Sequence, residues 1–125
     1  MAQRGIPAVD NMFERLSRDI RNKRFKIAVV GLGYVGLPLA LEFSKKGIKV
    51  LGIEIDRDRL EHIKRKESYI TDISSPQLRA VLAKGTFSAS GDFAALREAQ
   101  VIIICVPTPL KRKYHPDISY IQQSV

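Results

Sequence analysis

Three glycines within six positions constrain this chain more than any other feature. Gly31, Gly33 and Gly36 lie in the stretch "VVGLGYVGLPLA", directly after the apolar run "FKIAVV" at residues 25–30. Glycine destabilises the interior of helices and strands, so this cluster predicts a turn in which bare backbone is needed. The near-continuous apolar run before it is typical of a parallel strand buried on both faces. Helical periodicity at residues 34–46 completes a predicted strand, turn and helix.

The rest of the chain continues this alternation. Strands that alternate with helices favour a parallel sheet with helices on its faces. We therefore predict an α/β fold, a Rossmann-like doubly wound parallel sheet in one domain, with strand order 3-2-1-4 and an extra N-terminal helix. Strands are predicted at residues 25–30, 48–54, 86–90 and 100–106, and helices at 10–22, 34–46, 56–66, 76–84, 91–99 and after Pro116. The last helix is cut off within its course, so we expect a truncated domain.

Composition excludes several classes of protein. The longest apolar run, at residues 101–106, is far shorter than the roughly 20 residues that span a bilayer, so no membrane partner is expected. The single cysteine, Cys105, has no partner for an intrachain disulfide, which favours a reduced, cytoplasmic setting. The net charge of +8 is concentrated at residues 1–26 and 111–113. No aromatic side chains interleave with the basic residues at 15–24, so we predict a solvated face and no nucleic-acid partner.

The glycine spacing G-x-G-x-x-G is weak evidence alone, but here it follows a predicted strand and opens a predicted helix. Gly31 would permit the tight turn, Gly33 would let the backbone approach a pyrophosphate, and Gly36 would let the helix pack on the strand. The helix N-terminus would then offer free N–H groups to the phosphates. Pro38 suits the first helical turn, where its missing N–H costs little. The alternative is a glycine turn that holds no ligand.

An acidic residue stands where a dinucleotide-binding unit needs one. Glu54 ends the second predicted strand, 18 residues beyond Gly36, close to the ~20 expected for the carboxylate that binds the adenosine ribose. A carboxylate there accepts hydrogen bonds from the ribose hydroxyls and repels a 2′-phosphate, which favours NAD over NADP. Arg57 and Arg59 leave NADP open, since an arginine there can receive that phosphate. Arg59 could instead stack on the adenine.

The remaining reactive side chains are assigned no catalytic or metal role. Cys105 is predicted to be a buried structural thiol. His62 and His115 have no cysteine or second histidine at ligand spacing, so they are predicted to be solvated surface histidines, and no metal site is expected. The basic cluster Lys111, Arg112 and Lys113 could meet substrate phosphates in a complete enzyme.

Three segments together resemble one enzyme family. "KIAVVGLGYVGLPLALEFSKKG", "VLGIEIDRDRL" and "VIIICVPTPLKRKYHPDISYI" are similar in order and spacing to the UDP-glucose/GDP-mannose (nucleotide-sugar) dehydrogenases, over residues 25–125. The leading helix, "SYITDIS" and the "VPTPLKRKYHPD" spacing most resemble the UDP-N-acetylglucosamine 6-dehydrogenase branch. The UDP-N-acetylmannosamine dehydrogenases are the close alternative.

The resemblance implies NAD-dependent oxidation of a UDP-sugar's C6 primary alcohol to a carboxylate, in polysaccharide biosynthesis. The catalytic cysteine and lysine of such enzymes lie in later motifs, so no catalytic residue is expected here and the fragment alone should be inactive. Two departures are Glu54, where aspartate is usual, and Gln100, where an acid is common. The implied cofactor-binding residues are the pyrophosphate loop Gly31, Leu32, Gly33, Tyr34, Val35 and Gly36, the ribose carboxylate Glu54, the adenosine-contacting Arg59, and the nicotinamide-side loop Cys105, Val106, Pro107, Thr108 and Pro109.

The predicted organisation is therefore a basic amphipathic helix at residues 1–24 and an NAD-binding domain at 25–125. The helix is expected to dock its Phe13, Leu16 and Ile20 face on the domain or on a neighbouring subunit, and relatives of this kind form homo-oligomers. Two alternatives stay open. A β-hydroxyacid dehydrogenase would also carry a glycine loop, but usually with methionine in place of Val35 and without the P-T-P-L segment. A non-catalytic dinucleotide-binding module is the other.

Overall fold

A four-stranded parallel sheet forms the centre of the molecule. The computed structural model describes residues 7–107 and 117–125, with side chains from residue 11 onward within those ranges. The strands are β1 (Lys26–Val30), β2 (Lys49–Ile53), β3 (Phe87–Ser90) and β4 (Val101–Ile104). They lie in the order β3-β2-β1-β4, and every adjacent pair is parallel. The predicted α/β class and strand order are confirmed.

Helices follow the strands where the sequence predicts them, with small shifts in their bounds. Asp56 caps the third helix as predicted, because its side chain accepts from the N–H groups of Asp58 and Arg59. Residues 91–99 form a 3₁₀ helix rather than an α-helix, although Asp92 caps it as expected. The helices are α1 (Pro7–Arg21), α2 (Gly36–Lys45), α3 (Arg57–Lys64), α4 (Ser75–Lys84), the 3₁₀ helix (Phe93–Glu98) and α5 (Ser119–Ser124).

The start and end of α4 show how local sequence sets its bounds. The helix begins one residue before Pro76, and Ser74 is its cap, because the Ser74 hydroxyl accepts from the Gln77 N–H while the Gln77 side chain reaches back to the Ser74 N–H. Gly85 ends the helix in the left-handed conformation at φ 74°, as predicted.

The two faces of the sheet are covered to different extents. One face packs against α2, α3 and α4 in the larger core, and the other packs against the 3₁₀ helix in a smaller one. Strand β1 is covered on both faces, as its apolar run predicts. At the edge strand β4, the side chains of Ile102 and Ile104 are 49% and 38% exposed. Their register partners Ala28 and Val30 on β1 are buried. The uncovered part of the sheet therefore lies at β4.

Helix α1 does not dock its apolar face within this chain. It spans Pro7–Arg21 rather than the predicted 10–22. Phe13 is 72% exposed, and Met12, Leu16 and Ile20 are exposed as well. The expected docking of this face on the domain is therefore wrong for the single chain, because no described side chain of the domain covers it.

No helix in the described part of the chain is long and apolar enough to cross a membrane.

Candidate functional site

A cavity of about 700 Å³ opens at the carboxyl ends of β1, β2 and β4. In open parallel sheets this edge is where ligands bind, at the point where the strand order reverses. The cavity therefore lies where the fold predicts a site. Its lining residues are Gly31, Gly33, Tyr34, Val35, Glu54, Ile55, Asp56, Arg59, Cys105, Val106, Pro107 and Tyr120.

Most of the residues predicted from the sequence meet at this cavity. Leu32 and Gly36 belong to the same glycine loop but lie buried behind it. Thr108 and Pro109 lie outside the described residues, as do Lys111, Arg112, Lys113 and His115.

The first glycine makes the turn that the sequence predicts. Gly31 has φ +97°, a conformation that side chains disfavour. A Cβ on Gly31 would also lie 2.7 Å from the carbonyl oxygen of Cys105, on the neighbouring strand end. The turn thus needs glycine for both its backbone conformation and its contact with the loop after β4.

The other two glycines have different neighbours. A Cβ on Gly36 would collide with the carbonyl oxygen of Gly31, so this glycine permits the close packing of α2 on the end of β1. A Cβ on Gly33 would meet only the side chain of Arg59, 3.4 Å from its Nη1. Gly33 therefore keeps the cavity side of the loop open, which is the role predicted for a glycine that faces a pyrophosphate.

Helix α2 begins at Gly36, two residues later than predicted, with its N-terminus at the cavity. The residue before it, Val35, makes no capping hydrogen bond with its side chain. Pro38 is the third helical residue, so its missing N–H falls in the first turn, as predicted. The start of α2 and the glycine loop together offer backbone and the positive end of the helix dipole to a negatively charged group.

Glu54 is the acidic centre of the site. It follows β2 directly and is only 6% exposed. Its Oε1 accepts a hydrogen bond from the N–H of Leu32 at 3.0 Å, which ties the end of β2 to the glycine loop. Its Oε2 accepts from the N–H groups of Ile55 at 2.9 Å and Asp56 at 3.1 Å. The sequence therefore placed this carboxylate correctly, beside the loop.

Arg59 provides the charge that balances Glu54. Its Nη1 lies 3.2 Å from Glu54 Oε1, and its Nε lies 3.9 Å from Asp56 Oδ2. Its guanidinium also lies 5.7 Å from the ring centre of Tyr69. Sequence reasoning predicted that Arg59 contacts a ligand, but not that it pairs with Glu54.

Tyr69 is a residue of the site that the sequence analysis missed. Its hydroxyl donates to the carbonyl oxygen of Leu32 at 2.6 Å, so it holds the glycine loop from behind. His62 packs edge-on against its ring at 5.9 Å and is half-buried rather than solvated, which corrects the prediction for that histidine. Tyr69 lies in an irregular segment 37 residues from Leu32, and no sequence pattern marks such a contact.

Three more missed residues line the cavity. Ile55 and Asp56 directly follow Glu54, so their position after the strand was the available signal. Ile55 is 59% exposed although it is apolar, and it contributes to the lining of the cavity. Tyr120 reaches the cavity from α5, and its sequence context gave no indication of this.

Cys105 differs from the buried structural thiol that the sequence predicted. It is half-buried and lines the cavity, while burial raises the pKa of its thiol. Its N–H donates to the carbonyl oxygen of Val30 at 2.7 Å, so the strand pairing continues one residue past β4. Cys105 therefore lines the cavity, and its backbone carbonyl packs against the glycine turn.

Among residues 7–107 and 117–125, no cluster of histidine, cysteine, aspartate or glutamate side chains could hold a metal ion. The arrangement fits a dinucleotide instead. It combines a loop that Gly33 leaves open, the N-terminus of a helix and a carboxylate bound to the same loop. These are the groups that receive a pyrophosphate and its neighbouring ribose.

Known proteins are similar to this chain in sequence. Residues 25–125 match the family model of the UDP-glucose/GDP-mannose dehydrogenase family, NAD binding domain. The chain is 38% identical over 104 residues to a UDP-N-acetyl-D-mannosamine dehydrogenase of Pyrococcus horikoshii, covering 80% of this chain and 24% of that protein. It is 35% identical over 97 residues to a UDP-N-acetyl-D-glucosamine 6-dehydrogenase of Pseudomonas aeruginosa, covering 78% of this chain and 22% of the relative.

Solved structures of nucleotide-sugar dehydrogenases have a similar fold over most of this chain. The Pyrococcus horikoshii UDP-D-ManNAc dehydrogenase superposes with a TM-score of 0.73 at 36% identity, over 79% of this chain and 24% of that one. GDP-mannose dehydrogenase from Pseudomonas aeruginosa, solved as a ternary complex, gives a TM-score of 0.72 at 31% identity, over 78% and 23%. The chain thus spans about a quarter of the length of these relatives. The chain belongs to the UDP-glucose/GDP-mannose dehydrogenase family, and its residues 25–125 match that family's NAD-binding domain.

Proposed function

We propose that this chain is the NAD-binding part of a nucleotide-sugar 6-dehydrogenase, which oxidises the C6 primary alcohol of a UDP-sugar to the carboxylate. The observation that carries the proposal is the hydrogen bond from the Leu32 N–H to Glu54 Oε1 at 3.0 Å. It puts the carboxylate and the glycine loop at one cavity, where a ribose and its pyrophosphate would meet. The family match supports the same reading and favours it over a β-hydroxyacid dehydrogenase.

The residues around the cavity suggest where each part of NAD would bind. The pyrophosphate would lie on residues 31–36, with Gly33 at the closest approach of the backbone. The adenosine ribose would face Glu54, and the exposed apolar side chain of Ile55 would flank the adenine together with Arg59. The nicotinamide-side ribose would pass the loop at residues 105–109, of which 105–107 line the described cavity. When bound, NAD supplies the hydride acceptor for the oxidation.

The proposed substrate is a UDP-N-acetylhexosamine. The similar proteins include dehydrogenases named for UDP-N-acetyl-D-mannosamine and for UDP-N-acetyl-D-glucosamine. We favour UDP-N-acetylglucosamine because of the "SYITDIS" segment and the leading helix. Tyr69 of that segment contacts the glycine loop in this structure.

We propose two units, the helix at residues 1–24 and the NAD-binding domain at 25–125. This chain should bind NAD without oxidising a sugar. It spans about a quarter of its relatives and holds a single cysteine, Cys105, whose backbone belongs to the cofactor side of the cavity. No residue of this chain is proposed to be catalytic. Appreciable turnover of UDP-N-acetylglucosamine by these 125 residues alone would contradict this.

A homo-oligomer is proposed for the protein, with no nucleic-acid or membrane partner and a cytoplasmic location. The exposed apolar face of α1, formed by Met12, Phe13, Leu16 and Ile20, supports self-association, since large exposed apolar patches mark interaction sites. Sedimentation equilibrium of the chain and of its Phe13→Ser variant tests this. The variant should shift the distribution toward monomer, and an unaltered distribution would contradict a role for this face.

Cofactor choice gives the main test of the proposed function. NAD should raise the melting temperature of the chain more than NADP does at equal concentration, because a ligand that binds only the folded state stabilises it by mass action. Glu54 would repel the 2′-phosphate of NADP. Equal shifts with both cofactors would contradict the role of Glu54, and no shift with either would contradict the proposed function.

A further inference from the structure

Every hydrogen-bonding position of the Glu54 carboxylate is already taken in this structure. Oε1 accepts from the Leu32 N–H at 3.0 Å and from Arg59 Nη1 at 3.2 Å. Oε2 accepts from the N–H groups of Ile55 and Asp56 at 2.9 and 3.1 Å. A carboxylate offers about four lone-pair sites. A ribose hydroxyl can therefore bind Glu54 well only if one of these donors leaves.

The four donors are not equally able to leave. Three are backbone N–H groups, in the glycine loop and directly after β2, and moving them would distort the turn or the end of the strand. The fourth is the Arg59 side chain, which is 36% exposed and lies on the cavity side of Gly33. Arg59 is thus the donor that can withdraw without a change of backbone.

We propose that Arg59 is an exchangeable counterion of Glu54: in the free protein it occupies the carboxylate, and a ribose hydroxyl of the cofactor takes its place on Oε1. This inference rests on the proposed function, because it requires that the adenosine ribose binds at Glu54. It adds a defined competitor for that carboxylate, supplied by the chain itself.

The surroundings of Arg59 offer it a second position. Its Nε already lies 3.9 Å from Asp56 Oδ2, and Asp56 is exposed. The ring centre of Tyr69 lies 5.7 Å from its guanidinium, within the range of a cation–π contact. When it releases Glu54, Arg59 keeps these two partners and stays beside the cavity, at the place proposed for the adenine.

The exchange has a measurable consequence. A ligand without ribose hydroxyls leaves Arg59 on Glu54, so the buried carboxylate stays satisfied and the loss of affinity is moderate. Without Arg59, the same ligand would leave Oε1 short of a donor, and an unmet charged hydrogen bond in a buried position is costly. The preference for a ligand that carries the hydroxyls should therefore increase when Arg59 is removed.

The experiment measures the affinities of ADP and of 2′,3′-dideoxy-ADP by calorimetry for the unaltered chain, for Arg59→Met and for Arg57→Met. Arg57 is the matched control, an exposed arginine at the start of the same helix. The dissociation constant of 2′,3′-dideoxy-ADP divided by that of ADP should rise about 10-fold in Arg59→Met. It should stay unchanged in Arg57→Met.

Two failures are distinguishable. If the unaltered chain binds ADP and Arg59→Met shows the same ratio as the unaltered chain, Arg59 is not the exchanged donor and only this inference falls. If the unaltered chain binds neither ADP nor NAD, the proposed function falls with it. Should Arg59→Met not fold, the Nε–H resonance of Arg59 in the unaltered chain decides. It should shift further on saturation with ADP than with the dideoxy analogue, which places only the adenine beside Arg59, and identical shifts would overturn the exchange.

Discussion

The hydroxyl of Tyr69 donates a 2.6 Å hydrogen bond to the carbonyl oxygen of Leu32, and so fixes the glycine loop from its far side. Leu32 is fully buried, and its N–H donates to Glu54 on the cavity side. One residue of the loop is therefore held by its carbonyl and by its N–H at once. The loop is positioned before any ligand arrives, which lowers the cost of binding.

Loss of the Tyr69 hydroxyl should weaken both the fold and cofactor binding. Tyr69→Phe removes the donor to Leu32 but keeps the ring beside Arg59. We expect a loss of about 1 kcal/mol in the free energy of unfolding, because a buried carbonyl loses its partner. NAD affinity should fall about 3-fold or more, since the loop is less well positioned. Thermal melts and calorimetric titration measure the two effects, and NAD affinity equal to that of the unaltered chain would contradict the positioning role.

The same hydroxyl predicts a pH dependence of stability. Burial, with the negative charge of Glu54 nearby, raises the pKa of Tyr69 far above the value of about 10 for a free tyrosine. Below pH ~10 the phenol is protonated in the folded and unfolded chains, so its stabilising contribution is fully present. Above pH ~10 only the unfolded chain loses the proton, so the folded state becomes less stable as the pH rises.

Melting curves of the unaltered chain and Tyr69→Phe between pH 6 and 11 test this. The difference in melting temperature should be constant up to about pH 9 and shrink above about pH 10. A difference that grows with pH in the alkaline range would show that the folded state favours the ionised phenol.

Two glycine substitutions should separate binding from folding. Gly33→Ala places a methyl group 3.4 Å from the end of the half-exposed Arg59 side chain, so the fold should persist while NAD affinity falls at least 10-fold. Gly36→Ala drives a methyl group into the carbonyl oxygen of Gly31, which requires α2 or the turn to move. A loss of about 2 kcal/mol or more in stability is expected.

Melting curves and NAD titrations of both variants provide the comparison, each variant serving as the control for the other. Gly33→Ala with unchanged NAD affinity would show that the phosphates do not approach the loop at this position. Gly36→Ala with an unchanged melting temperature would contradict the close packing of α2 on the turn.

Cys105 provides a chemical probe of the cavity. It is the single cysteine of the chain, and burial raises the pKa of its thiol. Since the thiolate is the reactive form, iodoacetamide should modify it several-fold more slowly at pH 7.5 than it modifies a free cysteine. Saturating NAD should slow the reaction further, because Cys105 lines the proposed nicotinamide side. A rate unaffected by saturating NAD would remove Cys105 from the cofactor site.

The predictable parts of this molecule depend on local patterns. The glycine spacing, the apolar run of β1 and the acid at the end of β2 each follow from backbone conformation or burial over a few residues. The strand order then follows from the alternation of strands and helices together with the family resemblance. The position of Pro38 was also predicted correctly, because its missing N–H is tolerated only in the first turn, which is a local property of α2.

The contacts that the sequence analysis missed depend on how the elements are placed in three dimensions. Nothing near Tyr69 indicates that its hydroxyl reaches Leu32, and the pairing of Arg59 with Glu54 depends on the angle at which α3 leaves β2. The exposure of the apolar face of α1 was predicted wrongly for a related reason. The apolar face of α1 predicts burial, but α1 has no covering side chain from the described part of the domain. Periodicity marks which face of a helix is apolar, whereas its cover depends on tertiary or quaternary structure.

Amide chemical shifts measured during a titration with NAD test the central claim most directly. We predict that the largest changes fall on residues 31–36, 54–56 and 105–106, which surround the cavity. They should saturate together at one dissociation constant. Changes confined to the groove beside β3, at residues 60–66 and 87–91, would contradict this account, as would a spectrum that NAD leaves unaltered.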